Sequence, residues 1–374
     1  MMYDKMVGLI ASASLALALP QYAKIRDEPY SPASLKMSCS RLVLDRIDPL
    51  NDPGVFGTSH LHTIVGGNSF NATMDPAGDP AERSSCTTCT FTDDFSNYWT
   101  PAMYFRARNG SYKRVEQLGA LFHEEAQGGG MTIYYFPRFM EPEKIKIRAF
   151  APGFRMRLGW PDRDSPMRAL WATGREGDDI TPFDGVTYTC LYTESTRYSN
   201  LSWGFPDQPC REGILTTVAF PTCWDGKNLD SPDHMSHVAY ALADDLHGVG
   251  GDGKTGADCP ASHPVRIPGI LIETRWDTRP FNDPELWPEN EGEQPFVWSY
   301  GDGVGYGFHA DYVFGWRGNA LQEAFERHNC GNQICSLPIQ TIPEANECMI
   351  EPSVPEEVDG WMDTLPGGVA VARD

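Results

Sequence analysis

Three stretches of the chain set imidazoles beside one another or beside a carboxylate. They are SHLHTIVGG at 59–67, CWDGKNLDSPDHMSHVAY at 223–240, and SYGDGVGYGFHADYVFGW at 299–316. Side chains alternate between the two faces of an extended strand, so His60 and His62 share a face, as do His309 and Asp311. In a helical turn His234 and His237, three apart, share one as well. Five of the nine histidines fall into these groups, so a shared polar cleft lined by all three segments is the working expectation.

Two chemistries suit such a cleft. Imidazoles with carboxylates can serve as general acid and base, their pKa values tuned by neighbours. The same groups can ligate a divalent transition metal, for which His60, His62, His234, His237 and His309 are the candidates. His-x-His is permissive for metal rather than diagnostic, and the HExxH pattern is absent. The catalytic candidates are therefore His60, His62, His234, His237, His309, Asp311, Asp233 and Glu273, with Asp94, Asp225, Asp230 and Asp302 as further carboxylates. Most of the 51 acidic residues must be solvated surface, and Asp94 is equally suited to an Asx turn. Isolated histidines more often brace turns than react, and it is the recurrence over three segments that favours a site. Aromatic rings with polar rims suit a sugar ring, which nominates Asn97, Tyr98, Trp99, Lys227 and Tyr306 for substrate binding. Phe308, Phe314 and Trp316 read as core.

The elements that must position these residues read as strands. Short apolar runs at RLVLD, HTIVGG, PAMYFRA, MTIYYFPR, GVTYTCLYT, ILTTVAFP, GILIETRW and PFVWSYGD are each bounded by Gly, Pro, Asn or Asp, in a chain with 36 Gly and 30 Pro. The fold class is mainly β, a sandwich-like single domain with few short helices. One helix is expected at 319–330, where Leu321, Ala324, Phe325 and His328 have helical spacing, and a short one after a Ser231 cap with Pro232 first. The glycine-rich piece at 247–260 lacks a Walker ending and reads as a surface loop.

The N-terminus carries Lys5, an apolar run from Met6 to Leu19, and small residues before Pro20, which marks 1–20 as a secretory signal peptide. The run is too short to span a bilayer, so no membrane insertion is expected. Residues 21–38 form an approach segment, 39–330 the domain, and 331–374 a Pro/Glu-rich C-terminal segment. Ten cysteines in an exported chain imply up to five disulfides, and CTTC at 86–89 reads as structural rather than redox-active. Sequons at Asn71, Asn109 and Asn200 mark glycosylation sites at the surface. A formal net charge of −21 opposes nucleic acid and suits a neutral or cationic ligand.

The segments RIDP, SHLHTIVGG, CTTCTFTDDFSNYW, CWDGKNLDSPDHMSH and GDGVGYGFHADYVFGW together resemble a family of secreted fungal proteins known as domain of unknown function 1996, over about residues 39 to 330. Ala310 stands where the family has Gly after the histidine, and the glycine-rich insertion precedes Cys259. Neither departure removes a polar candidate. Members of that family joined to carbohydrate-binding modules imply a polysaccharide partner. The expectation is a secreted carbohydrate-active protein of the extracellular space or cell wall, an enzyme (hydrolase or lyase) acting on wall polysaccharide through its His/Asp cleft. Two alternatives stay open: a non-catalytic glycan-binding wall or surface protein, and a metal-dependent extracellular oxidase.

Overall fold

Each apolar run forms a strand in the computed structural model, which describes residues 35–118, 129–136, 147–159, 185–193, 201–241, 258–290, 292–326 and 337–372. The signal peptide, the approach segment up to residue 34, Asn200, Cys330, Cys335, His328 and residues 247–257 lie outside these. The strand expected at Arg41–Asp45 is the end of a longer one, Leu35–Asp45.

The main sheet has eleven strands. Its spatial order is Leu201–Ser202, Val186–Cys190, Ile214–Ala219, Gly269–Trp276, Gly130–Phe136, Leu35–Asp45, His62–Gly66, Asn97–Pro101, Ala310–Val313 and Arg155–Leu158, with Gln117–Leu118 pairing beside Gly269–Trp276. Every neighbouring pair is antiparallel. Two smaller sheets flank it, one built on Cys223–Trp224 and one on Phe296–Trp298, Met103–Arg106, Tyr112–Arg114 and Trp361–Met362. The fold is mainly β, a curled antiparallel sheet with few short helices.

Period-two alternation decides what each face buries. On the neighbouring strands His62–Gly66, Asn97–Pro101 and Ala310–Val313, the residues Val65, Tyr98 and Tyr312 enter the large apolar core, while Ile64, Trp99 and Val313 enter a second cluster with Leu42, Leu50 and Phe70. Each such large side chain contributes roughly 1.5 to 3 kcal/mol when fully buried. Slipping any of these strands by one residue would exchange the two faces, so the two cores lock the register. Gly66 has φ +109°, and a Cβ there would stand 1.8 Å from the Ser96 carbonyl oxygen. The first glycine after HTIV thus lets the strand leading into Asn97 approach, as a side chain would not.

Helix Ala320–Glu326 forms where expected, burying Leu321 and Ala324. The short helix after Ser231 does not. His234 has φ +57°, outside the helical region, and the Ser231 hydroxyl donates to Asp233 Oδ1 rather than capping a helix.

Four disulfides staple the described residues: Cys39–Cys89, Cys86–Cys348, Cys190–Cys210 and Cys223–Cys259. Both CTTC cysteines are thereby used structurally. After Cys348 the chain wraps back along the site-bearing elements. Asp45 accepts from Ser353 N, Ser353 Oγ and Val354 N, and Arg46 pairs with Glu356 at 2.5 Å. Trp361–Met362 adds a strand beside Tyr112–Arg114, Leu365 is buried with Leu61, and Ala372 bonds to Gly301 and Gly303. This strap therefore grips both segments that flank Leu61 and Tyr300. Among the described residues no helix is long and apolar enough to cross a membrane.

Candidate functional site

The strand that begins with His62 and the strand that His309 leads into lie on either side of a third, with the two histidines at their ends. His62 pairs with Pro101 across one side of the Asn97–Pro101 strand, and Asp311 pairs with Trp99 across the other. His62, His309 and Asp311 lie on the face that carries Ile64, Trp99 and Val313, because they keep the same parity. Two residues before Asp311, His309 comes level with Pro101, so the two imidazoles can reach across the strand end. Their Nε2 atoms stand 3.4 Å apart. Gly159, φ +91°, lies against His309, and a Cβ there would come within 2.7 Å of the histidine's Cα.

His60 completes the group. Its ring centroid is 5.5 Å from that of His62 and 5.2 Å from that of His309, and it stacks on Tyr300 at 4.2 Å. Whereas His62 and His309 are fully buried, His60 is partly exposed and forms the open edge of the cluster. One donor atom from each of His60, His62 and His309 lies within 4.8 Å of the others, and Asp48, His62 and Asp311 form a second such group.

Asp48 reaches the cluster from the turn after Leu35–Asp45. Its Oδ1 accepts from Leu50 N and Asn51 N, and its Oδ2 from the Asn51 amide at 2.7 Å. The preceding residue, Ile47, offers its carbonyl to His62 Nδ1 at 3.2 Å. His309 Nδ1 likewise faces the Gly307 carbonyl at 2.9 Å. Asn51 Oδ1 accepts from Arg157, whose strand pairs with Asp311.

Burial sets the electrostatics. It lowers the pKa of His62, opposed chiefly by Asp48, and that of His309 to about 3, with His62 adding to the effect. Burial likewise lowers His60, assisted by His309 and His62. Asp311 is raised, by burial first and by the Asp48 charge second. Burial opposes the charge on Asp48 too, yet His62 and the Asn51 amides outweigh it and hold the carboxyl below its usual range. The Asn51 bonds favour the Asp48 anion whatever the charge on His62. Two adjacent carboxyl groups are thus pushed in opposite directions, the mark of an acid and base pair or of a ligand set. Neither Asp311 oxygen has a hydrogen-bond partner among the described residues, Asn51 standing close enough to ease its charge but outside bonding geometry.

The remaining nominated residues do other work. His234 Nδ1 bonds Asp230 at 2.6 Å and its Nε2 bonds the Leu50 carbonyl, so it braces the turn that carries Asp48 without facing the cluster. His237 bonds Ser231 Oγ and the Arg155 carbonyl. The histidines of the third segment are thus engaged in bracing and are not among the clustered ligand atoms, and His234 has a positive φ. Asp233 accepts from Ser231 Oγ, Met235 N and Ser236 N, which hold its carboxyl below the usual range against a desolvation cost. Asp225 and Asp302 close turns in the same way. Glu273 is fully buried and accepts from Tyr134, with the Gly130–Phe136 and Leu35–Asp45 strands between its own and that of His62. Asn97, Tyr98 and Trp99 are fully buried, and alternation sends both aromatic rings into cores. Lys227 stays exposed and Tyr306 half-buried. Sequence reasoning missed Asp48 and Tyr300. Asp48 lies in RIDP, where the Pro and Asn around it signalled only a turn, and Tyr300 had no signal beyond its aromatic ring.

Asp94 makes the Asx contact, Oδ1 to Ser96 N, while Oδ2 accepts from Tyr98, whose hydroxyl meets that of Tyr135 at 2.5 Å. Burial raises its pKa to about 7 against these bonds. A carboxyl raised on folding stabilises fully below its unfolded pKa and loses that contribution as pH climbs toward its folded pKa. Between pH 4.5 and 8 the wild type should therefore lose about 2 to 4 kcal/mol at this group. Urea melts of wild type and Asp94→Asn at both pH values check it: the difference between the two proteins must shift in favour of the variant at pH 8, and a constant difference refutes a protonated Asp94.

A mainly β, disulfide-stapled domain that gathers three imidazoles and two carboxylates on one sheet face is the class this fold and site define. Residues 48–316 match the family described as domain of unknown function (DUF1996), and the chain belongs to that family. The matched span begins at Asp48 and contains the whole cluster. Comparison with curated proteins and with solved structures gives no match.

Proposed function

We propose that the protein is a secreted carbohydrate-active enzyme that cleaves or modifies cell-wall polysaccharide at the cluster of His60, His62, His309 and Asp311. The observation that carries this is the contrast between bracing and unpartnered groups. His234 and His237 spend both ring nitrogens on hydrogen bonds, whereas His60 Nδ1 and both Asp311 oxygens are buried with no partner among the described residues. Each such group costs about 1 to 3 kcal/mol, and three such atoms on adjacent titratable side chains are what a catalytic or ligand role would explain. A glycan is favoured as substrate by the net charge of −21, which repels polyanions, and by exposed Trp203 and Trp361, whose faces suit sugar stacking. Lys113 Nζ lies over one face of the Trp361 ring, 5.7 Å from its centroid, which leaves the other face for stacking.

The test is incubation with a panel of neutral, cationic and anionic wall polysaccharides, followed by mass analysis of released or altered oligosaccharides. Product from neutral or cationic polymers supports the reading. Retention on glycan without any product, together with a His60→Ala variant that binds as tightly as wild type, would instead favour a non-catalytic wall-binding protein.

Export through a eukaryotic secretory pathway would expose the sequons to glycosylation. Asn71 and Asn109 are exposed, and each side-chain oxygen accepts from the hydroxyl two residues on, Thr73 or Ser111. Protein secreted from a eukaryotic host should lose mass on enzymatic deglycosylation, and the loss should vanish stepwise in Asn71→Gln and Asn109→Gln. Unchanged mass in the wild type would refute occupancy.

A further inference from the structure

His62 and His309 are each tied by Nδ1 to a backbone carbonyl, Ile47 at 3.2 Å and Gly307 at 2.9 Å. A carbonyl only accepts, so each Nδ1 carries the ring hydrogen, and each Nε2 of the neutral ring carries a lone pair. The two Nε2 atoms then face each other at 3.4 Å as two acceptors with no donor between them. That contact is repulsive unless something positive lies between the nitrogens.

The separation selects what that is. A hydrogen bond through a shared proton prefers about 2.9 to 3.0 Å, with 3.4 Å near the limit of useful contact. Two nitrogens bound to one tetrahedral ion at about 2.0 to 2.1 Å stand about 3.3 to 3.4 Å apart. Metal-ligating imidazoles also characteristically donate their second nitrogen to a carbonyl or carboxylate, as both do here. A ring nitrogen of His60 lies within the same 4.8 Å group, and its buried Nδ1 has no partner among the described residues. Beside His62, Asp48 and Asp311 supply two carboxylates, the second with both oxygens unpartnered among the described residues.

The geometry points to a cofactor site for one divalent transition-metal ion of the zinc type, held by His62 and His309 with His60 as the third imidazole, and charge-balanced by Asp48 and Asp311. This rests on the cluster being the working site and names its cofactor. Three imidazoles leave a coordination position for water or substrate.

The experiment uses the full secreted chain, stripped with a chelator, dialysed, and titrated with Zn²⁺ alone by calorimetry, with bound metal counted by elemental analysis. One ion per chain at submicromolar Kd is expected, and Co²⁺ in its place should give the visible absorption bands of a nitrogen-ligated ion. His62→Gln and His309→Gln should weaken binding at least 100-fold. Because those positions are buried, His60→Gln, at the partly exposed edge, provides a folded variant by circular dichroism that should still lose at least 10-fold, while His263→Asn keeps wild-type affinity. Folded stripped protein that binds less than a fifth of an equivalent, or equal affinity in all three cluster variants, overturns the site. Glycan turnover is read separately: turnover in the stripped protein overturns the metal and leaves the enzyme, whereas stoichiometric metal without turnover on any polymer leaves the metal and overturns the enzyme.

Discussion

Replacing His60 by alanine is expected to lower turnover of the responsive glycan by about 10² to 10⁴-fold, the range typical of losing a positioned acid, base or ligand. The melting temperature should move by only a few degrees. The separation of these effects follows from what His60 touches. Its Nδ1 makes no hydrogen bond among the described residues, and its main packing contact is the stack on Tyr300, worth about 0.5 to 1.5 kcal/mol. Deleting it therefore removes little that folding uses. The same substitution at His62 would leave the Ile47 carbonyl without its partner and open a cavity in a fully buried place, so lost activity there would be confounded with lost fold. Steady-state kinetics and a melt on one His60→Ala preparation decide the matter: unchanged kcat/KM removes His60 from the site, and a large fall in melting temperature makes it a brace.

The double replacement Cys86→Ser and Cys348→Ser is expected to cost about 3 to 5 kcal/mol, from the entropy restored to an unfolded chain whose cross-link spans 262 residues. For a protein of this size that corresponds to a drop of about 4 to 7 °C in the melting temperature. The bond pins the start of the strap that follows it, and the rest of the strap holds by short polar contacts. Asp45 bonds Ser353, Arg46 pairs with Glu356, Arg114 with Asp359, and Tyr104 donates to the Val358 carbonyl. Those contacts should keep the folded state intact without the bond, so the loss should appear as lower stability rather than altered structure. Circular dichroism with a guanidinium melt tests it, and a midpoint equal to that of wild type would show that the cross-link contributes nothing the hydrogen bonds do not already supply.

Much of this architecture is legible from local pattern. Alternation in HTIVG, NYWTP and ADYV is a strand signal, and the same alternation pairs His60 with His62 and His309 with Asp311. Less legible is which aromatic ring is core. Tyr98 and Trp99 carry polar tips that suited a cleft, yet both are buried because their strand lies between two others and has cores on both faces. The DHMSH segment misled for a related reason. Its helical spacing assumed ordinary φ values, and the positive φ at His234 sends both imidazoles to backbone carbonyls instead.

From its sequence alone the protein's mainly β class and the pairing of His60 with His62 and His309 with Asp311 could be determined, since strand period and turn chemistry act over a few residues. Which pairs meet was decided only in three dimensions. His62 and His309 are 247 residues apart, and the strand between them, its register locked by two cores, sets their nitrogens 3.4 Å from each other. Asp48 and Tyr300 joined them for the same reason: a contact between distant segments is a property of strand order and register, which no short window of residues encodes.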